Sequence, residues 1–188
     1  EGLQPSHMEW VFGRKNTAPP FVLQDNEGQA ISIQGKVDRI DSIGDELVIW
    51  DYKSGGMPRR GDITGLTKIQ VGLYWMAVEA AFEGSVTAAG YYQVRGRSKP
   101  EMKAAMRLAG SEADGVLPEA RRKTSLDYPW SAVELADYRQ ELCRLVADVV
   151  SAMRRGWFPV NYDGRKCGAC PYVAMCRPVA EAMVMARV

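Results

Sequence analysis

Apolar and polar residues alternate with a period near two through residues 31–42 and 46–54, then shift to a period near 3.6 from about 62 to 82. The pattern predicts a β-hairpin followed by an amphipathic helix. Upstream, residues 8–12 (Met-Glu-Trp-Val-Phe) read as a short strand. Residues 13–20, with Asn, Thr and paired prolines, read as a loop, and 21–23 as a second short strand before the Asp25-Asn26-Glu27-Gly28 turn. Gly55-Gly56-Met57-Pro58 ends the second hairpin strand. In the helix, Ile63, Leu66, Ile69, Leu73, Met76, Ala77 and Ala80 form one apolar stripe, with Asp62 as the N-cap and Gly84 as the C-terminal glycine. A strand is expected at 88–94 and a short helix around 101–108, within the otherwise irregular stretch 95–128. A second long helix is expected at 130–155, with Ser131 as cap, Leu135, Leu142, Val146, Val149 and Met153 as its stripe, and Gly156 as its stop. A short terminal helix interrupted by Pro178 follows from Ala174. Strands and helices mixed in this order predict one α/β domain over 1–188, with a distinct cysteine-bearing segment at 157–178.

The hairpin poses an electrostatic problem. A two-residue Gly44-Asp45 loop places Ile43 opposite Glu46, and in that register Asp38 faces Asp51. Lys53, two residues beyond Asp51, projects on the same face. Like charges opposite one another on a sheet repel, and close carboxylates resist ionising together, so the pair needs a neutralising partner. A divalent cation supplies one; the plainer alternative makes Lys53 a structural counter-ion.

Composition narrows the picture only a little. The chain has 188 residues, 46% of them hydrophobic, enough for one domain with a real core. Lys plus Arg total 24 against 23 Asp plus Glu, so no global basic field advertises nucleic acid and any such binding rests on local clusters. The clusters are Arg59-Arg60, Arg95 with Arg97 and Lys99, Arg121-Arg122-Lys123, and Arg154-Arg155, each of which also reads as ordinary charged surface. No apolar run approaches the roughly 20 residues that span a bilayer, and no leader pattern opens the chain, so no membrane association and a cytoplasmic location are expected. The start EGLQPSH lacks an initiator Met, which suggests a domain excised from a longer chain.

Three of the four cysteines fall in Cys167-Gly-Ala-Cys170-Pro-Tyr-Val-Ala-Met-Cys176, a C-x2-C-x5-C spacing dense enough to suggest metal thiolates over disulfides. An iron–sulfur centre and zinc both remain open, and both lack a fourth ligand, His7 being far away in sequence. Cys143 is one candidate, although its place beside the apolar stripe also suits a buried free thiol. A cysteine upstream of this chain is the other; three unmetallated thiols are the remaining alternative.

In chain order, these pieces resemble the RecB-like branch of the PD-(D/E)XK nuclease superfamily, especially its AddB-type domains with C-terminal iron–sulfur cysteines. Gly35-Lys-Val-Asp38-Arg-Ile-Asp41 resembles a G-x-x-D-R-x-D strand, and Asp51-Tyr-Lys53-Ser-Gly55 a D-Y-K-T-G signature. Gln70-Val-Gly-Leu-Tyr74 resembles a Q-x-x-x-Y helix motif, and Cys167, Cys170 and Cys176 resemble cluster ligands. The resemblance implies a restriction-endonuclease-like core, a mixed β-sheet flanked by helices, acting on DNA. It implies that Asp38, Asp51 and the backbone carbonyl of Tyr52 hold Mg²⁺ or Mn²⁺, and that Lys53 orients water or stabilises charge on the phosphate. Gln70 and Tyr74 would contact DNA or support the site. Arg39 and Asp41, on the opposite face from Asp38, fit a structural ion pair or a DNA-groove edge. It further implies a structural 4Fe–4S cluster with its fourth ligand outside this segment, an upstream histidine role not transferred to His7, and an exonuclease working with a helicase subunit or domain. The alternative function is a catalytically incomplete nuclease-fold module that binds DNA.

Overall fold

A computed structural model describes residues 2–94, 101–118, 125–158, 167 and 170–172. The chain divides into two compact units, Glu1–Asp148 and Val149–Val188. The first unit is built on a five-stranded sheet in the order β1-β4-β5-β6-β7. Its strands are β1 (Gln4–Phe12), β4 (Gly35–Ile43), β5 (Glu46–Lys53), β6 (Ser85–Gln93) and β7 (Glu101–Arg107). β2 (Phe21–Gln24) and β3 (Ala30–Ile33) form a separate two-stranded ribbon. The five-stranded sheet is mixed: β5 and β6 run parallel, and its other neighbours are antiparallel. A parallel pair needs a crossover, and helices α1 (Arg60–Thr64) and α2 (Gln70–Ala81) provide it. Short α3 (Glu112–Val116) and long α4 (Ala132–Arg154) complete the helices of the described residues. This is the α/β restriction-endonuclease-like architecture that the sequence resemblance implies.

The sheet buries both faces. On one, Ile40, Leu47, Ile49 and Tyr91 pack with Val71, Trp75 and Val78 of α2 and with Leu135, Tyr138 and Leu142 of α4. On the other, Val48, Trp50 and Ala88 pack with Ala113 of α3 and Leu117. This double burial explains the near-continuous run Leu47-Val48-Ile49-Trp50 in β5, a strand with sheet neighbours on both sides. At one edge, the Glu46 carboxylate ties the second face together. It accepts from the N–H groups of Glu112 (3.0 Å) and Ala113 (2.9 Å) at the start of α3 and from Thr87 Oγ1 (2.8 Å). Burial opposes its ionisation, but the Ala113 and Glu112 N–H groups and the Thr87 hydroxyl outweigh that and hold its carboxyl below the usual range.

The hairpin register follows the two-residue loop: Ile43 pairs with Glu46 and the ladder continues to Arg39 opposite Trp50. Gly44 has φ 52 and Asp45 is not among the positive-φ residues, as a turn with glycine in its first central position requires. The Asp25 turn, the 130–155 helix and its Ser131 cap also match expectation. Ser131 N donates to Glu134 Oε2 (2.7 Å) and Glu134 N donates to Ser131 Oγ (3.2 Å), a reciprocal capping box. At the other end, Gly156 takes φ 71 while Trp157 N donates to Ala152 O at 2.9 Å.

Four expectations are corrected. The continuous strand 31–42 is two strands in different sheets, parted at Gln34; the period-two pattern runs through Ile31, Ile33 and Val37 without a break, so it carries no sign of the switch. The single helix 62–82 is α1 and α2, separated where Leu66 takes φ 54 and the N–H groups of Thr67 and Lys68 both donate to Asp62 O at 3.0 Å. Asp62 is therefore not the N-cap but lies inside α1, its Oδ2 accepting from Arg59 N at 2.7 Å. The break resets the helical phase: Val71, Trp75 and Val78 are buried, while Ala80 of the expected stripe is exposed. The expected helix at 101–108 is strand β7, whose Ala104, Ala105 and Met106 are helix formers by propensity but are buried against the sheet's two cores. Pairing to the open edge of β6 overrides that local preference. Finally, Val149 and Met153 of the expected α4 stripe are exposed. No helix among the described residues is long and apolar enough to cross a membrane.

Candidate active site

The site lies where the β4–β5 ladder opens. Beyond the Arg39–Trp50 pair, one more step of the same register brings Asp38 level with Asp51. There the Asp38 side chain intervenes: its Oδ2 accepts from Tyr52 N at 2.8 Å. One carboxylate is thus fixed to the backbone of the strand that carries the other.

Asp51 is 4% exposed. Lys53 Nζ stands 2.5 Å from its Oδ2 as an ion pair. Burial pushes the Asp51 carboxyl above its usual pKa, Lys53 pulls it back, and the Asp38 charge adds to the rise. An anion held against desolvation and a like charge is an arrangement that a hard cation relieves. Two neighbouring carboxylates, each pushing against the other's charge, fit a divalent metal by the chemistry of the donor set. Among the described residues no group of three or more His, Cys, Asp or Glu side chains converges, so further donors at this point would be backbone carbonyls or water.

Lys53 is held from its other side. Its Nζ donates to Gln70 Oε1 (3.3 Å), and Gln70 Nε2 donates to Tyr74 Oη (3.0 Å). Gln70 and Tyr74 lie one turn apart in the first half of α2, which places both on the flank of the site. The Tyr74 ring meets Phe12 edge-on at 6.4 Å, and a Cβ on Gly35 would come within 2.7 Å of the Phe12 ring and 3.2 Å of Tyr74. Gly35 is therefore set by close approach of these rings. Beside Lys53 opens a cleft of about 740 Å³, whose walls include Met57, Lys68, Gln70, Tyr74 and Tyr91.

Tyr91 was not signalled by any motif. It pairs with Asp51 in the parallel ladder, is 1% exposed, and its ring centroid lies 5.4 Å from Lys53 Nζ. Burial raises its hydroxyl pKa, and the Asp51 charge adds to the effect, so the ring is a neutral phenol. Its signal in the sequence is only an aromatic in a strand; the parallel pairing that brings it to Asp51 is a matter of topology.

The opposite face of the same hairpin carries the ion pair expected there. Arg39 Nε and Nη2 donate to Asp41 at 2.5 and 2.9 Å, and Trp50 Nε1 donates to Asp41 Oδ2 at 2.9 Å. The bonds to Asp41 raise the Arg39 pKa further despite its burial.

Other expected residues stay apart from this centre. The His7 ring meets Phe82 at 4.7 Å and its Nδ1 lies 3.2 Å from Ser6 Oγ. Arg60 is turned to structure, donating to Tyr128 O (2.8 Å) with its guanidinium 4.7 Å from the Trp130 ring. Arg95, Arg97 and Lys99, together with Arg121, Arg122 and Lys123, lie outside the described residues. In the second unit, Cys170 N donates to Cys167 O at 3.2 Å, so these half-buried free thiols belong to one turn; Cys176 and the helix expected from Ala174 lie outside the described residues. Cys143, half-buried, packs its Sγ 3.7 Å from Met76 Sδ beside the main core, and burial raises its thiol pKa.

Against this geometry, the family model of the PD-(D/E)XK nuclease superfamily matches residues 1–177. The chain belongs to the PD-(D/E)XK nuclease superfamily. Curated relatives, each a subunit of an ATP-dependent helicase/deoxyribonuclease, match over shorter stretches. That of Alkaliphilus oremlandii is 38% identical over 55 residues, 27% of this chain and 5% of that protein. Its counterpart from Clostridium kluyveri is 30% identical over 84 residues, 42% of this chain and 7% of that protein. The one from Acetivibrio thermocellus is 38% identical over 58 residues, 29% of this chain and 5% of its own length. The matched stretches are therefore a small part of these relatives.

Proposed function

We propose that this superfamily nuclease hydrolyses DNA phosphodiester bonds with Mg²⁺ or Mn²⁺, as an exonuclease working with a helicase subunit or domain. The observation that carries the reading is Asp38, fixed to the backbone of β5, beside the buried Asp51, whose carboxyl is raised by burial and by the Asp38 charge, with the Lys53 ammonium 2.5 Å from its Oδ2. The helicase partner and the DNA substrate are supported by the relatives, which share the name of an ATP-dependent helicase/deoxyribonuclease.

In this reading Asp38 and Asp51 hold the cation, with the Tyr52 carbonyl as a third protein donor. When bound, such an ion supplies an activated water and offsets charge developing on the transferred phosphate. Lys53 orients the attacking water or receives the phosphate charge, its ammonium kept in place by Gln70 Oε1. Lys53, a donor only, selects the Gln70 amide oxygen, and the amide NH₂ then donates to Tyr74 Oη. The cleft beside Lys53 takes the nucleic acid. We propose also that Cys167, Cys170 and Cys176 ligate a structural 4Fe–4S cluster, the fourth ligand coming from outside that segment and not from Cys143.

The test is incubation of labelled single- and double-stranded DNA with the protein, with and without Mg²⁺ or Mn²⁺, beside Asp51→Ala. Products that need both metal and Asp51 support hydrolysis, and release from ends alone supports the exonuclease mode. Full cleavage by purified Asp51→Ala sinks the mechanism. A second reading rests on the convergence of only two metal-ligand side chains among the described residues: a module that grips DNA without cutting it. Binding with no metal-dependent product favours that module.

A further inference from the structure

Asp38, Asp51, Lys53, Gln70 and Tyr74 all belong to sequence motifs, whereas Tyr91 belongs to none. The parallel register nevertheless sets Tyr91 level with Asp51, so the two side chains leave the sheet side by side on the face that meets α2. Lys53 is a flexible side chain with four rotatable bonds, and it stands at the mouth of an open cleft. Two oxygens hold its ammonium, Asp51 Oδ2 at 2.5 Å and Gln70 Oε1 at 3.3 Å. Two contacts define a line and leave a swing into the cleft. The third wall is the Tyr91 ring, whose centroid is 5.4 Å from Nζ, inside the roughly 6 Å range over which an ammonium is attracted to a ring face. The ring is only 1% exposed, so packing on all sides keeps it from turning away.

We propose that Tyr91 is a positioning residue for phosphodiester hydrolysis, its ring face holding the Lys53 ammonium between Asp51 and Gln70. The inference rests on the hydrolytic reading above. An aliphatic side chain offers no negative ring face but also leaves a cavity, so the property at stake, the electrostatics of the ring, is read from rings of unchanged size.

The experiment separates the two properties. Position 91 is replaced by phenylalanine and then by mono-, di- and trifluorophenylalanine, which weaken the negative face stepwise while keeping a ring of nearly the same shape. Metal-dependent cleavage of labelled DNA gives kcat and KM, and thermal unfolding gives Tm. Tyr91→Phe should retain kcat within about twofold, and successive fluorination should lower kcat progressively, to roughly tenfold at the trifluoro ring, with KM and Tm unchanged. Tyr91→Leu should lose at least as much. Equal kcat across the fluorinated series, in a protein whose Lys53→Ala variant is inactive, overturns the role of Tyr91 and leaves the hydrolytic reading standing. A wild-type chain with no metal-dependent cleavage overturns both.

Discussion

The two faces of one hairpin carry one carboxylate problem each and solve it differently. On one face Asp41, wholly buried, meets the two nitrogens of Arg39 and the indole N–H of Trp50, so its charge is paired and its oxygens are bonded. On the other, Asp51 is almost as buried and has Lys53 as counter-ion, but burial and a second aspartate beside it still raise its carboxyl. A buried charge fully bonded on all sides rigidifies a fold, whereas one still opposed by burial and a like charge suits a place where a cation binds. The strand alternation that puts the two aspartates on opposite faces also separates structure from chemistry within a few residues.

That contrast breaks most sharply at Asp51. Asp51→Ala should lower metal-dependent cleavage by about 10³-fold or more, while melting of the metal-free protein stays at or above the wild-type temperature, because a desolvated charge has been removed. A large fall in Tm would place Asp51 in the same class as Asp41. Asp41→Ala should do the reverse: removing one partner of a buried ion pair costs about 3 kcal/mol, read as a shifted denaturant midpoint. What activity is lost should track the unfolded fraction. Gln70→Ala, which frees one side of Lys53 but leaves its charge, should lower kcat by roughly tenfold with little change in stability. Trp50→Phe should cost about 1 kcal/mol through the lost bond to Asp41, with cleavage per folded molecule intact.

The smallest effect lies at the far end of β5 from the site. The Glu46 carboxyl is lowered in the folded state, so its contribution is present above its unfolded pKa and is lost as pH falls through the lower folded value. Glu46→Gln should therefore lower Tm by a few degrees at pH 7, and the gap from wild type should close as pH drops below about 4. A gap that widens in acid would contradict the bonding at the start of α3.

The hairpin was legible because a two-residue loop fixes register, and register fixes which side chains face each other. The α4 cap was legible for a similar reason, its signal lying within four residues of sequence. Failures came where a neighbour distant in sequence decided the outcome. Residues 101–107 carry helix-forming Ala and Met but complete the edge of β6. The α1–α2 break hides because apolar residues recur at acceptable spacing on both sides of Leu66.

For the site, the sequence by itself determined Asp38, Asp51 and Lys53 on one face and Arg39 with Asp41 on the other, since both follow from local alternation. Only the tertiary structure decided that Asp51 is buried, with Tyr91 of β6 beside it. It alone decided that Gln70 reaches Lys53, because the broken crossover sets where α2 begins. And it alone brought Tyr91 under the lysine, because parallel pairing joins strands that the sequence separates by two helices.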